Sequence, residues 1–244
     1  MRQSKSVLRV FQRLLNLIYP RRCPICDGLV GSCRKLVCDD CRGKLHPIGE
    51  PMCKQCGKPL SGEEAEYCPD CSKKEHFYIR GRAAYEYDAV MRASVSRFKY
   101  KNRREYADFY VQELLRTCGQ AIYFWQPDAL VPIPLHKSRR RKRGFNQAEL
   151  VARGIGERLG IPVEDRLLVR VKKTNPQKEL NDRERRSNLK NAFQVTQNDV
   201  RLKRIILIDD IYTTGSTIDA AAYVLLKSGV EKVYFLSICI GRGY

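Results

Sequence analysis

The sequence predicts an α/β chain: a mostly parallel sheet flanked by helices, preceded by a small cysteine-rich module. Three observations carry that expectation. Nine of the eleven cysteines crowd between Cys23 and Cys71. From Arg80 onward, apolar runs of strand length alternate with stretches of helical periodicity, the pattern of parallel strands joined by helical crossovers. One apolar run ends in two acids and turns through hydroxyl residues and a glycine into a helix, as parallel strands do where they present a ligand site. With 244 residues, 43% of them apolar, one or two packed cores are within reach. Only 16 glycines and 11 prolines are present, which excludes collagen-like and low-complexity classes. The net charge of +19 exceeds what solubility needs and points to nucleic acid, anionic lipid or phosphorylated ligands.

The first 22 residues hold an amphipathic helix, with apolar residues at Val7, Leu8, Val10, Phe11, Leu14, Leu15, Leu17 and Ile18, Ser6 as cap and Pro20 as stop. Its apolar face packs on the domain that follows or touches a membrane surface, with Arg2, Lys5, Arg9, Arg13, Arg21 and Arg22 toward anionic lipid. Arg9, Gln12, Arg13 and Asn16 interrupt the run, so it does not read as a secretory signal. No apolar stretch is long enough to span a bilayer. A cytoplasmic protein is expected, at most peripheral to the inner face of the membrane.

Residues 23–75 carry four knuckles: Cys23/Cys26, Cys38/Cys41, Cys53/Cys56 and Cys68/Cys71. Each is a Cys-x-x-Cys pair beginning 15 residues after the one before, an internal repeat. In a reducing compartment such clusters are metal ligands before they are disulfides. Zinc takes four thiolates in a tetrahedron at about 2.3 Å, so eight cysteines imply two structural Zn2+ sites. Pairing first with second and third with fourth knuckle is the natural arrangement, but equal intervals also permit a crossed one. Four-thiolate sites have no open position for water, so the metal is structural rather than catalytic. Cys33 lies outside the knuckles and is most simply a free thiol.

A boundary is expected near Ser72–Tyr78, with a second domain over 79–244. Strands are expected at Gly81–Tyr87, Ala129–Ile133, Leu167–Val171, Ile205–Asp209 and Val233–Ile238, and helices at Asp88–Lys99, Glu105–Arg116, Asn146–Leu159 and Thr217–Ser228. Residues 204–217 read RIILIDDIYTTGST, a buried strand, an acid pair and a turn into a helix. Free N–H groups and the positive dipole end of that helix favour a phosphate. Thr213, Thr214, Ser216 and Thr217 add hydroxyl donors, and Gly215 permits close backbone approach. Asp209 and Asp210 beside such a cradle repel phosphate unless they face sugar hydroxyls or a divalent cation. A phosphorylated sugar with Mg2+ suits the combination.

This segment resembles the phosphoribosyl diphosphate (PRPP) motif of type I phosphoribosyltransferases. The resemblance implies ribose-hydroxyl contacts from Asp209 and Asp210 and 5-phosphate contacts from Thr213, Thr214, Gly215, Ser216 and Thr217. Purine-salvage members carry a third acid where Thr213 stands here, so base chemistry on a purine is not implied.

Six of the seven residues from Lys137 to Arg143 are basic, directly after a strand. At a strand's carboxyl end Lys137 and Arg143 can reach a diphosphate, with Leu135 and His136 in the turn beneath. Arg139, Arg140, Arg141 and Lys142 form a basic stretch, and Lys99, Lys101, Arg103 and Arg104 lie beside Phe98 and Tyr100, the cation–aromatic interleaving of single-strand binders. A solvated charge run is the alternative reading. Residues 171–190 are polar and basic and read as a lid over the site.

Taken together, the knuckles, Arg143–Gln147, the Thr174-x2-Gln177-x2-Leu180 and Arg183-x2-Arg186-x-Asn188 patterns and the PRPP motif resemble the ComF family, close to its ComFC-type members, over essentially the whole chain. That resemblance implies a double zinc ribbon before a phosphoribosyltransferase-like domain. It also implies a role in natural transformation, in which single-stranded DNA reaches the cytoplasm beside a DNA-translocating ATPase. Two functions fit: a nucleic-acid-binding competence factor with a PRPP-type pocket, or an active phosphoribosyltransferase using PRPP and Mg2+ with an unknown acceptor.

Overall fold

The computed structural model describes residues 20–31, 35–171, 192–196 and 201–241. The amino-terminal helix, Cys33 and all of the expected lid but Val171 lie outside them.

Two short helices, α1 (Asp39–Arg42) and α2 (Pro69–Lys73), each begin directly after the first cysteine of a knuckle. Then follow β1 (Arg80–Glu86), α3 (Ala89–Tyr100), α4 (Tyr106–Trp125), β2 (Ala129–Pro132), α5 (Lys137–Arg143), α6 (Gln147–Leu159), β3 (Leu168–Arg170), β4 (Phe193–Val195), β5 (Arg204–Tyr212), α7 (Ser216–Lys227) and β6 (Lys232–Ile240). The main sheet has the order β1-β6-β5-β2. Its three pairings are all parallel, so every strand delivers its carboxyl end to the same edge.

Alternation along the strands divides the core. Ile206 and Ile208 of β5 with Leu236 and Ile238 of β6 pack on one side, against α3, α4 and α6. Ile205 and Leu207 with Val233 and Phe235 pack on the other, against α7 and the β3–β4 pair. Residues buried on both faces are what a parallel sheet covered by helices requires, and burying each such side chain contributes about 2 kcal/mol. The cysteine module is split between the faces. Cys23, Ile25, Val30 and Cys41 join the α3/α4 side, and Cys53, Cys56 and Cys68 join the α7 side.

Two expectations are corrected, and one segment left unassigned by its sequence acquires a structure. The strand expected at Leu167–Val171 does not enter the parallel sheet; β3 pairs antiparallel with β4 as a separate ribbon, an arrangement fixed by a partner distant in sequence. The helix expected to end at Arg116 runs to Trp125, where Gln126 turns left-handed (φ 43) and closes it, just ahead of Pro127. The basic run Lys137–Arg143 is a helix, capped by the His136 side chain accepting from the Ser138 N–H and stopped by Gly144 at φ 79. Its uniform charge masks the periodicity that marks other helices.

Candidate functional site

The β5–α7 turn is built as its sequence suggests. Gly215 precedes α7 at φ 79, with no side-chain cap on the helix's first N–H groups, which leaves them for an anion. A Cβ at Gly215 would lie 2.6 Å from the Tyr212 Oη, so packing and backbone conformation both demand glycine. The Thr214 and Ser216 hydroxyls are 3.0 Å apart. Asp209, Thr213, Gly215, Ser216 and Thr217 line one small depression with Tyr212.

The acid pair is held asymmetrically. The Asp210 N–H donates to Asp209 Oδ1 at 2.8 Å, and Lys99 Nζ donates to Asp210 Oδ1 at 2.6 Å. Burial, then the neighbouring Asp210 charge, push the Asp209 carboxyl up to about 7, against the pull of the Asp210 N–H, Lys99 and Arg170. Arg170, at the end of β3, is itself drawn down to about 10 by burial and by Arg139. A carboxyl titrating near neutrality, flanked by two cations, can accept hydrogen bonds from a sugar diol or hold a divalent cation once ionised.

The candidate diphosphate residues are spread over the turn after β2 and the length of α5. Leu135 and His136 are half-buried in the turn after β2, and Lys137 is exposed. Arg143 sits at the far end of α5, about 9 Å along its axis by helical rise, donating to Gln147 Oε1 at 2.5 Å with its guanidinium 5.1 Å from the Tyr100 ring centre.

The two basic stretches, 35 residues apart at their nearest ends, meet in space. Besides Tyr100 and Arg143, the Arg104 guanidinium lies over Phe145 at 5.0 Å and donates to the Gly144 carbonyl at 3.4 Å. Lys101, Arg104, Arg140, Arg141 and Lys142 are exposed, and Arg139 is half-buried. Arg140 pairs with Glu149 at 2.9 Å, and Arg103 pairs with Asp27 at 3.0 Å, tying the α3–α4 turn to the first cysteine cluster. Lys99 is turned inward to Asp210. The resulting basic face is continuous with the acid pair through Lys99 and Tyr100.

The knuckles resolve into two clusters, Cys23/Cys26/Cys38/Cys41 and Cys53/Cys56/Cys68/Cys71, with the four Sγ atoms of each within 4.8 Å of one another. This is the sequential pairing. The Cys26–Cys38 and Cys56–Cys68 sulfur separations are 3.8 and 3.6 Å, close to the roughly 3.8 Å edge of a thiolate tetrahedron around zinc. The donor set and spacing fit structural Zn2+, and none of the described cysteines forms a disulfide.

Several site residues escape sequence reading. Arg170 reaches the acid pair only because β3 folds back. Asp219, in the first turn of α7 and 6% exposed, is clasped by Lys74, His76 and the Phe77 N–H. Its nearest sequence signal is its place two residues past the hydroxyl turn.

The family model for the double zinc ribbon domain matches residues 14–72. Competence protein F of Haemophilus influenzae is 32% identical over 218 residues, 87% of this chain and 93% of that protein. Competence protein ComFC of Bacillus subtilis is 34% identical over 200 residues, 79% of each chain. The DNA utilization protein YhgH of Escherichia coli K12 is 28% identical over 230 residues, 91% of this chain and 98% of that protein. Among the described residues no helix is long and apolar enough to cross a membrane.

Proposed function

Because the chain belongs to the ComF family and has a role in competence and DNA uptake, we propose that it handles incoming single-stranded DNA on the cytoplasmic side of the membrane. The strand lies on the basic face formed by Lys101, Arg104 and Arg139–Lys142. A phosphorylated ribose, PRPP or a near relative, occupies the adjoining pocket. The observation that carries this reading is the uncapped amino end of α7 beside Asp209 and Asp210 at the carboxyl edge of a parallel sheet, continuous with cations and an exposed aromatic at Tyr100.

In the pocket, the α7 N–H groups and the hydroxyls of Thr213, Thr214, Ser216 and Thr217 receive the 5-phosphate, and Asp209 and Asp210 accept from the ribose hydroxyls. Asp209 and Asp210 would hold Mg2+, which would supply charge neutralisation that Lys99 alone leaves incomplete. On the outer face, phosphates meet lysine and arginine while bases stack on Tyr100, a mode tolerant of sequence. A DNA-translocating ATPase would deliver the strand.

A second reading is favoured by one observation. The acid pair is intact, with Asp209 poised near neutrality, so the pocket could transfer phosphoribosyl from PRPP to a nucleophile, with diphosphate leaving and the acceptor's proton passing to a base. Calorimetric titration with PRPP, with and without Mg2+, tests the pocket. Saturable Mg2+-dependent binding is expected. No binding would leave the basic face as the functional surface.

A further inference from the structure

The segment between the second cysteine cluster and β1 is packed against the candidate phosphate loop. His76, its side chain wholly buried, places Nδ1 2.9 Å from the Asp219 carboxylate. Lys74 pairs with the same carboxylate, and the Phe77 N–H donates to it at 3.1 Å. A Cβ built on Gly215 would lie 3.1 Å from the His76 ring, so ring and loop touch. Two residues on, the Tyr78 and Tyr212 hydroxyls are 2.6 Å apart, immediately before Thr213. The buried ammonium of Lys58, paired with Asp70 within the second cluster, sits 5.9 Å from the Tyr212 ring centre. The Gly81 N–H donates to the Gln55 carbonyl at 2.7 Å, fastening the cluster to β1. On the other side, residues Cys71–His76 line a cavity of about 410 Å3 instead of packed protein, so the inner contacts and the cluster itself hold this stretch in place.

Asp219 makes the arrangement more than mechanical. A carboxylate in the first turn suits the helix dipole but opposes a phosphate bound at the same end. Lys74, His76 and the Phe77 N–H draw that charge away from the cradle, across 142 to 145 residues of sequence.

We infer that residues Lys74–Phe77 form a tether by which the second cysteine cluster sets both the position and the charge of the α7 phosphate cradle, with Asp219 as the positioning residue it grips. The first cluster, packed on the opposite face of the sheet, has no such connection among the described residues. Affinity for a phosphorylated sugar therefore follows metal occupancy of Cys53/Cys56/Cys68/Cys71 and not of Cys23/Cys26/Cys38/Cys41. The affinity statement rests on the phosphate reading above, whereas the tether does not.

Amide hydrogen exchange of the full zinc-loaded chain without ligand reads the tether directly. In Cys71→Ser, and in His76→Phe, which keeps all four thiolates, amides of residues 216–220 should exchange about tenfold faster or more, and Cys26→Ser should leave them within about twofold. Calorimetric titration with PRPP and Mg2+ reads the charge. Lys74→Gln should weaken binding about tenfold, and adding Asp219→Asn should recover most of the loss, a coupling that mere loosening does not produce. Unchanged exchange in His76→Phe, or equal acceleration in Cys26→Ser, overturns the tether. A wild-type chain that binds no PRPP overturns the phosphate reading instead, and the exchange rates still decide the tether.

Discussion

Lys99 and Asp210, 111 residues apart in sequence, form a 2.6 Å ion pair at the carboxyl edge of the sheet. The pair joins the ligand pocket to the basic face, because Tyr100 and Lys101 follow directly on the chain. It also makes Lys99, with Arg170, one of the two cations that ease ionisation of Asp209.

Replacing Lys99 with Gln should therefore move the Asp209 titration upward, by about half a unit to one unit, since a neighbouring positive charge is lost. Carboxylate NMR titration checks this. The same variant should change single-strand affinity less than Lys101→Gln does, because its ammonium already has a partner.

Asp209→Asn should stabilise the protein at neutral and alkaline pH. The folded carboxyl titrates near 7 and an unfolded one near about 3.9. Between these values the native state binds more protons than the unfolded state, so stability falls as pH rises through the window. Removing the ionisable group removes that loss, worth on the order of 4 kcal/mol above pH 7. Thermal melts across the window should show the gap between variant and wild type widening from near zero at the acid end. A constant gap would mean the carboxyl is not desolvated. The variant should also lose PRPP affinity, the familiar exchange of stability for function.

Each cysteine cluster should hold one zinc. Cys53→Ser and Cys26→Ser should each halve the metal content measured by plasma mass spectrometry, and Cys53→Ser should lower the melting temperature, because Cys53 is fully buried in the α7-side core and bound metal contributes directly to folding. Full zinc content in either variant would refute the assignment of that cluster.

Arg141→Glu with Lys142→Glu should weaken single-strand binding and flatten its salt dependence. Both residues are exposed on α5, so reversal disturbs no packing, whereas Arg140→Glu would set a like charge against Glu149. Losing two phosphate contacts reduces the slope of log affinity against log salt by about 1.4 for a single strand. Fluorescence anisotropy at several salt concentrations measures it; an unaltered slope would return α5 to the solvated-run reading.

Local pattern was enough to place the strands of the main sheet, the eight candidate zinc ligands and the hydroxyl turn beside the acid pair, because each is written in a short run of residues: a continuous apolar stretch where a strand is covered on both faces, two residues between knuckle cysteines, a glycine where the backbone must turn left-handed. Equal knuckle intervals left the pairing of the cysteines open, and only the fold, by seating one cluster on each face of the sheet, made it sequential. The helical state of Lys137–Arg143 was hidden by its uniform charge. The strand at Leu168 was visible, yet its partner Val195 was not. Lys99 on Asp210, Arg170 near Asp209, Arg143 on Tyr100 and His76 on Asp219 belong wholly to the tertiary structure. Charges and rings act through space over a few ångströms, and which of them come that close depends on strand order and crossover path, neither of which any local run of residues contains.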